Sequence, residues 1–165
     1  MIEICKAGPE DGPAIWAMLE PVFRAGETYA VDREIGRDAA LGYWMAEEVF
    51  LAEEGGEPLG TYYIKRNQPG GGAHVCNCGF ITAQGAEGRG VARAMLDDAL
   101  VRAGALGFVA MQFNFVLASN ARAVETWKRA GFEVIGRQPK AFMHPKLGYV
   151  DALVMHRFLG DGALA

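Results

Sequence analysis

The stretch ITAQGAEGRGVARAMLDDAL, Ile81 to Leu100, constrains this chain more than any other. An apolar run stops at a glycine-rich turn, and a helix starts inside that turn, with an apolar stripe of Val91, Met95, Leu96, Ala99, Leu100 and Ala103. The first turn of a helix has no internal acceptors for its amides and carries about half a positive charge from the aligned peptide dipoles, so it attracts phosphate. Gly88 and Gly90 lack a Cβ, which lets the backbone itself approach a bulky anion. The pattern predicts a pyrophosphate-binding turn.

At 165 residues and 51% hydrophobic content, the chain is long enough for one well-cored domain and too short for two ordinary ones, so a single domain over 1–165 is expected. The formal charge of −4, from 16 basic and 20 acidic residues, comes with no basic block. Nucleic acid and anionic membrane surfaces therefore lack their usual electrostatic footprint and are not expected partners. No apolar stretch approaches the ~20 residues of a membrane span. The start, MIEICKAG, has neither the positive charge nor the long apolar core of a secretory signal, so a cytoplasmic location is expected. Cys5, Cys76 and Cys78 are an odd set, expected as reduced thiols. His74, Cys76 and Cys78 alternate along one strand, but no second ligand pair exists, so core packing is expected and no metal.

Along the chain, MIEICKA reads as a strand and Pro9-Glu10-Asp11 as a helix start before Ile15, Leu19, Val22 and Phe23 at helical spacing. Gly26 ends that helix, and Asp32 to Met45 reads as a second one, with AGETYAV between them as a loop able to cover a site. VFLAEE and LGTYYIKRN form a hairpin about Gly55-Gly56-Glu57-Pro58, and AHVCNCGFITA is a fourth strand. After the glycine turn and its helix come a fifth strand, FVAMQFNFVLA, and a helix capped by Ser119-Asn120 and closed by Gly131. Strands near FEVIGRQ and YVDALVMHRFL follow, giving the order β-α-α-β-β-β-α-β-α-β-β. Hairpins before the turn and helical connections after it predict an α/β (α+β mixed) fold with a mixed sheet flanked by helices.

A Walker-type loop would end in Gly-Lys-Ser/Thr, whereas Val91-Ala92 follow Gly90. A dinucleotide fingerprint would need a third glycine where Arg93 stands. The strand, turn and helix instead resemble those of the GNAT superfamily of acyl-CoA-dependent N-acyltransferases, whose R/Q-x-x-G-x-G/A turn is similar to Glu87-Gly-Arg-Gly-Val-Ala92. Asn120, Ala123 and Gly131-Phe132 match the N-x-x-A…G-F pattern of its cofactor-side helix, and the resemblance covers essentially the whole chain. CNCGF, FNFV, the Trp before the GF pair and YVDALVM look like the branch that includes fungal acetyltransferases acting on proline analogues.

The resemblance implies a central mixed, mostly antiparallel sheet of six to seven strands with about four helices. It also implies that the fourth and fifth strands splay to admit the pantetheine arm of acetyl-CoA. Main-chain groups near Ile81 and Ala83 would hold the pantetheine amides, and the amides of Gly88, Arg89, Gly90, Val91 and Ala92 the pyrophosphate. Asn120 and Ala123 would lie along the cofactor, with Asn120 also able to cap its helix. Two positions depart from the family pattern. Glu87 replaces an Arg or Gln and is expected to face solvent, with Arg89 as compensating charge. Trp127 replaces a tyrosine that protonates the leaving thiolate; an indole cannot, so Trp127 is expected to pack on the pantetheine arm or in the core. A thiol of pKa ~8.5 leaves tolerably without such an acid, and Tyr29, Tyr62 and Tyr149 are substitutes that spacing does not separate.

The acceptor amine must shed a proton to attack the thioester, yet the fourth strand holds no carboxylate. Asn77 and Asn114, in apolar runs on the two splayed strands, need partners because an unsatisfied buried amide costs ~1–3 kcal/mol. They form either a clamp for a small amino-acid-like acceptor or a cross-strand bridge. Glu27, Thr28 and Tyr29 supply the opposite wall, with Glu27 either base or solvated surface. The implied activity is acetyl transfer from acetyl-CoA to a small-molecule amine by direct attack, the acceptor being an amino acid or a proline-like imino acid. The alternatives are acetylation of a protein or peptide, which calls for an open acidic groove, and a non-catalytic acyl-CoA sensor. A homodimer is implied by analogy with GNAT domains that pair through their later strands.

Overall fold

The computed structural model describes residues 1–160. Its helices are α1 (Gly12–Ala25), α2 (Arg37–Trp44), α3 (Val91–Ala105) and α4 (Ala121–Arg129). Its strands are β1 (Glu3–Lys6), β2 (Glu48–Glu54), β3 (Glu57–Arg66), β4 (Val75–Thr82), β5 (Ala110–Leu117), β6 (Glu133–His144) and β7 (Gly148–Phe158). The strands form one sheet in the order β1-β2-β3-β4-β5-β7-β6, and its single parallel contact is β4 with β5. The expected mixed, mostly antiparallel sheet with four flanking helices is thus the observed one.

Strand alternation divides the core into two layers, one on each side of the sheet. On one side Ile15, Leu19 and Phe23 of α1 pack with Trp44 of α2 against Leu51, Tyr63 and Ile81. On the other, Val91, Met95, Leu96 and Ala99 of α3 pack against Phe50, Tyr62, Ile64 and Met111. Each large side chain removed from water there contributes roughly 1.5–3 kcal/mol. The buried polar groups are paired: Trp44 Nε1 donates to Thr61 Oγ1 at 3.1 Å, and Thr61 donates to the Phe50 carbonyl at 2.9 Å. Gly60 is needed because a Cβ there would lie 2.9 Å from Val91 and 2.8 Å from Met95, so α3 could not seat as closely.

Three boundaries differ from the sequence reading. The second helix starts at Arg37 rather than Asp32, because the Asp32 carboxylate accepts the Glu34 amide and its carbonyl accepts that of Ile35, closing a turn that delays the helix. The fifth strand starts at Ala110 rather than Phe108. The sixth runs to His144, well past FEVIGRQ; its register with β7 shifts between Gln138 and Phe142, where Pro139 has no N–H to donate, and that irregularity hides the strand period. The β2–β3 hairpin is as expected, with Gly55 and Gly56 both at positive φ, 59° and 82°.

Candidate active site

The parallel pairing of β4 and β5 lasts two residues, Val75 opposite Ala110 and Cys76 opposite Met111, and then stops. From there the strands diverge, and a cleft of about 570 Å³ opens between them. Asn77 stands where they part. Its Nδ2 donates to the Gln112 carbonyl on β5 at 3.0 Å, satisfying an acceptor that the broken ladder leaves free. Its Oδ1 accepts from the Tyr63 hydroxyl at 3.1 Å. Gly79 makes that second bond possible, since a Cβ there would lie 2.6 Å from the Tyr63 ring, which crosses β4 at this point. Both ends of the Asn77 amide thus bond within the protein, one to β3 and one to β5.

Asn114 does not meet Asn77. It is exposed, donates to Asn67 Oδ1 at 2.6 Å and accepts from Gln112 Nε2 at 3.0 Å, while still bordering the cleft.

Main-chain groups alternate between the two edges of a strand, and the pairing of β4 shows which residues face the gap. The Ala83 amide donates to the Leu59 carbonyl at 2.8 Å, and the Val75 carbonyl accepts from Asn67 at 2.9 Å, so odd-numbered residues turn towards β3. Ile81 shares that parity. The open edge belongs to Cys78, Phe80 and Thr82, which corrects the expectation for Ile81 and Ala83 by one residue. At Phe80 that edge is engaged by Tyr29, whose hydroxyl accepts from the Phe80 amide and donates to the Phe80 carbonyl, each at 3.1 Å. Burial, with Tyr43 beside it, raises the Tyr29 hydroxyl above its ordinary pKa, so it stays protonated.

At the far end of β4 the glycine turn adopts the backbone an anion cradle requires. Gly88 and Gly90 have φ of 79° and 83°, and open space lies where a Cβ would be. The amides of Gly88, Gly90, Val91 and Ala92 have no acceptor among the described residues, so at least four donors cluster at the start of α3. Glu87 is exposed and accepts the Gly85 amide at 2.8 Å, shaping the turn from outside. Arg89 is not a free compensating charge: its guanidinium pairs with Glu54 at 2.6 Å and Glu57 at 3.8 Å on the β2–β3 hairpin. The cradle therefore rests on backbone donors and the helix dipole.

Asn120, Ala123 and Trp127 of the α4 region border the cleft. The Asn120 side chain caps α4 by accepting the Ala123 amide at 3.3 Å. Trp127 packs against Phe113 and Phe80, ring centroids 4.9 and 5.5 Å away, forming an apolar wall.

The sequence profile of the acetyltransferase (GNAT) family matches residues 14–132. The chain belongs to that family. A GCN5-related N-acetyltransferase from Kribbella flavida is 41% identical, with a TM-score of 0.91 over 95% of this chain and 97% of that one. The N-acetyltransferase aca1 of Schizosaccharomyces pombe is 35% identical over 97 residues, 58% of this chain and 46% of that protein, so this chain matches about half the length of that curated relative. A GNAT superfamily phosphinothricin acetyltransferase from Sinorhizobium meliloti, solved in complex with AcCoA, shares the fold at 20% identity, with a TM-score of 0.85 over 99% of this chain and 91% of that one.

Within this GNAT fold, Thr28 and Tyr29 border the cleft, whereas Glu27 does not. Glu27 is bound to Lys146 at 2.7 Å, and that partner holds its carboxyl below the usual glutamate range. Of the roles left open for it, Glu27 stands as a paired carboxylate outside the cleft lining. Among the other tyrosines weighed as acids, Tyr62 faces α3 and donates to Asp98, and Tyr149 is 65% exposed. Sequence reasoning missed Tyr43, Tyr63 and Lys65, all of which border the cleft. Tyr63 and Lys65 lie two apart on β3 and so share a face; what concealed them was a strand whose residues read as hairpin core.

Proposed function

We propose that this chain is an acetyl-CoA-dependent N-acetyltransferase that acts on a small-molecule amine. The observations that carry the reading are the β4–β5 cleft, lined along β4 as far as Thr82, and the unpaired amides at the α3 start that follows the same strand. Gly88, Gly90, Val91 and Ala92 would hold the diphosphate, the open edge of β4 at Thr82, beyond the Phe80 groups that Tyr29 engages, the pantetheine, and Trp127 its apolar side. The co-substrate supplies the activated acetyl group. The chain orients the acceptor, and the Tyr29 hydroxyl, seated on the Phe80 main chain, is the proton donor nearest that edge. Among the described residues no Asp or Glu borders the cleft, which disfavours the acidic groove that a basic peptide would require.

The finer reading is an amino-acid or proline-like imino-acid acceptor, supported by CNCGF, FNFV and YVDALVM. Thiol release from acetyl-CoA across amino acids, imino acids, polyamines and peptides tests it. Turnover with small amines is expected; turnover with peptides alone, or tight acetyl-CoA binding without any turnover, would overturn it. Tyr29→Phe is expected to lower kcat on the order of 10²-fold with a smaller effect on the acetyl-CoA KM. An unchanged kcat would reduce that hydroxyl to a latch on Phe80.

We also propose a homodimer through β6 and β7. Strand β6 is a sheet edge, and Ile135 and Met143 on it are 56% and 55% exposed, an arrangement that proteins usually cover. Sedimentation is expected to show a dimer that Ile135→Glu dissociates. A wild-type monomer at micromolar concentration would refute the pairing.

A further inference from the structure

Lys65 is a cation of the cleft that makes no ion pair among the described residues. It stands on β3 directly opposite Asn77 and two residues from Tyr63. Its Nζ lies 4.6 Å from the centre of the Tyr43 ring and 4.7 Å from that of Tyr63, so two aromatic faces hold the ammonium in place. Among the described residues no acid lies within ion-pair distance of it. Arg66, the other cation bordering the cleft, is already paired with Glu47 at 3.4 Å. Burial depresses the pKa of Lys65, while the Glu47 carboxylate, which pairs with Arg66, opposes that only in part from beyond ion-pair distance, so the half-buried ammonium has no direct counter-ion among the described residues.

Two further observations say what completes it. The five residue steps from Asn77 to Thr82 span about 17 Å of strand, which places Lys65 at the opposite end of β4 from the glycine turn. The anion it awaits is therefore not the diphosphate. Asn77, one half of the clamp or bridge weighed from the sequence, is already engaged with Tyr63 and Gln112.

We propose that the Lys65 ammonium seats an acidic group of the acceptor, so that this site selects amines that carry a carboxylate, as amino and imino acids do. The proposal rests on the acetyl-transfer reading above and names its substrate class. A bare amine or polyamine, cationic before it loses its proton, is repelled from the same seat. The tyrosine cage fixes the charge at one place, so the carboxylate positions the amine rather than merely attracting it.

The test compares kcat/KM for L-proline with L-prolinamide and for L-alanine with L-alaninamide, each pair at matched fractions of free amine. The carboxylates are expected to be favoured by about ten-fold or more, the usual effect of a charge-assisted bond. Lys65→Gln is expected to bring that ratio towards one, and Lys65→Arg to retain part of it. A wild-type ratio of one or below, or a ratio that Lys65→Gln leaves intact, overturns the carboxylate seat while acetyl transfer stands. Acetyl-CoA binding with no transfer to any member of either series overturns both.

Discussion

Gly90→Glu is expected to abolish acetyl-CoA binding, by on the order of 100-fold or more in Kd, while the chain keeps its fold. Two effects act together. Gly90 caps α3 with φ of 83°, a conformation that costs an ordinary L-residue roughly 1–2 kcal/mol. Its surroundings are open, so the new side chain creates no clash and the strain stays local. The larger effect is electrostatic, because a carboxylate beside the unpaired amides of Gly88, Gly90, Val91 and Ala92 competes with the diphosphate for the same donors and repels it. Gly90→Asn separates the two, since asparagine tolerates this backbone and adds no charge. Calorimetric titration with acetyl-CoA should show weak loss for the asparagine variant and near-complete loss for the glutamate variant, with similar thermal unfolding for both. Equal affinity of Gly90→Glu and wild type would remove the cradle from the cofactor site.

The glycine turn was legible because its residues act through backbone geometry, and backbone geometry at Gly88 and Gly90 is dictated locally. The α3 stripe was legible for the same reason: five of its six apolar residues are buried. What local pattern could not supply was register. Ile81 and Thr82 are equally plausible along an apolar run, and only the pairing of Ala83 with Leu59 decides which face the gap. The Glu27 ion pair was not legible because its partner, Lys146, is distant in sequence and reaches it from the β6–β7 turn. Lys65 escaped notice because its meaning depends on Tyr43, a residue from α2 that the fold brings over it.

Asn77→Leu carries the second large effect, on the integrity of the cleft rather than on ligand affinity alone. Leucine preserves approximate volume but removes both bonds at the point where β4 and β5 part, leaving the Gln112 carbonyl and the Tyr63 hydroxyl without those partners. Each lost partner costs about 1–3 kcal/mol, so a destabilisation of roughly 2–6 kcal/mol is expected in urea unfolding. Tyr63 stays protonated because burial raises its pKa, with Tyr43 adding to the effect, so its hydroxyl needs an acceptor across the neutral range. Tyr63→Phe supplies the matching deletion. If the bridge is the physical unit, Tyr63→Phe should cost less in the Asn77→Leu background than in wild type, a coupling of about 0.5–3 kcal/mol. Strict additivity would mean that the strands part for some other reason, most directly the break in β5 register between Phe113 and Val116.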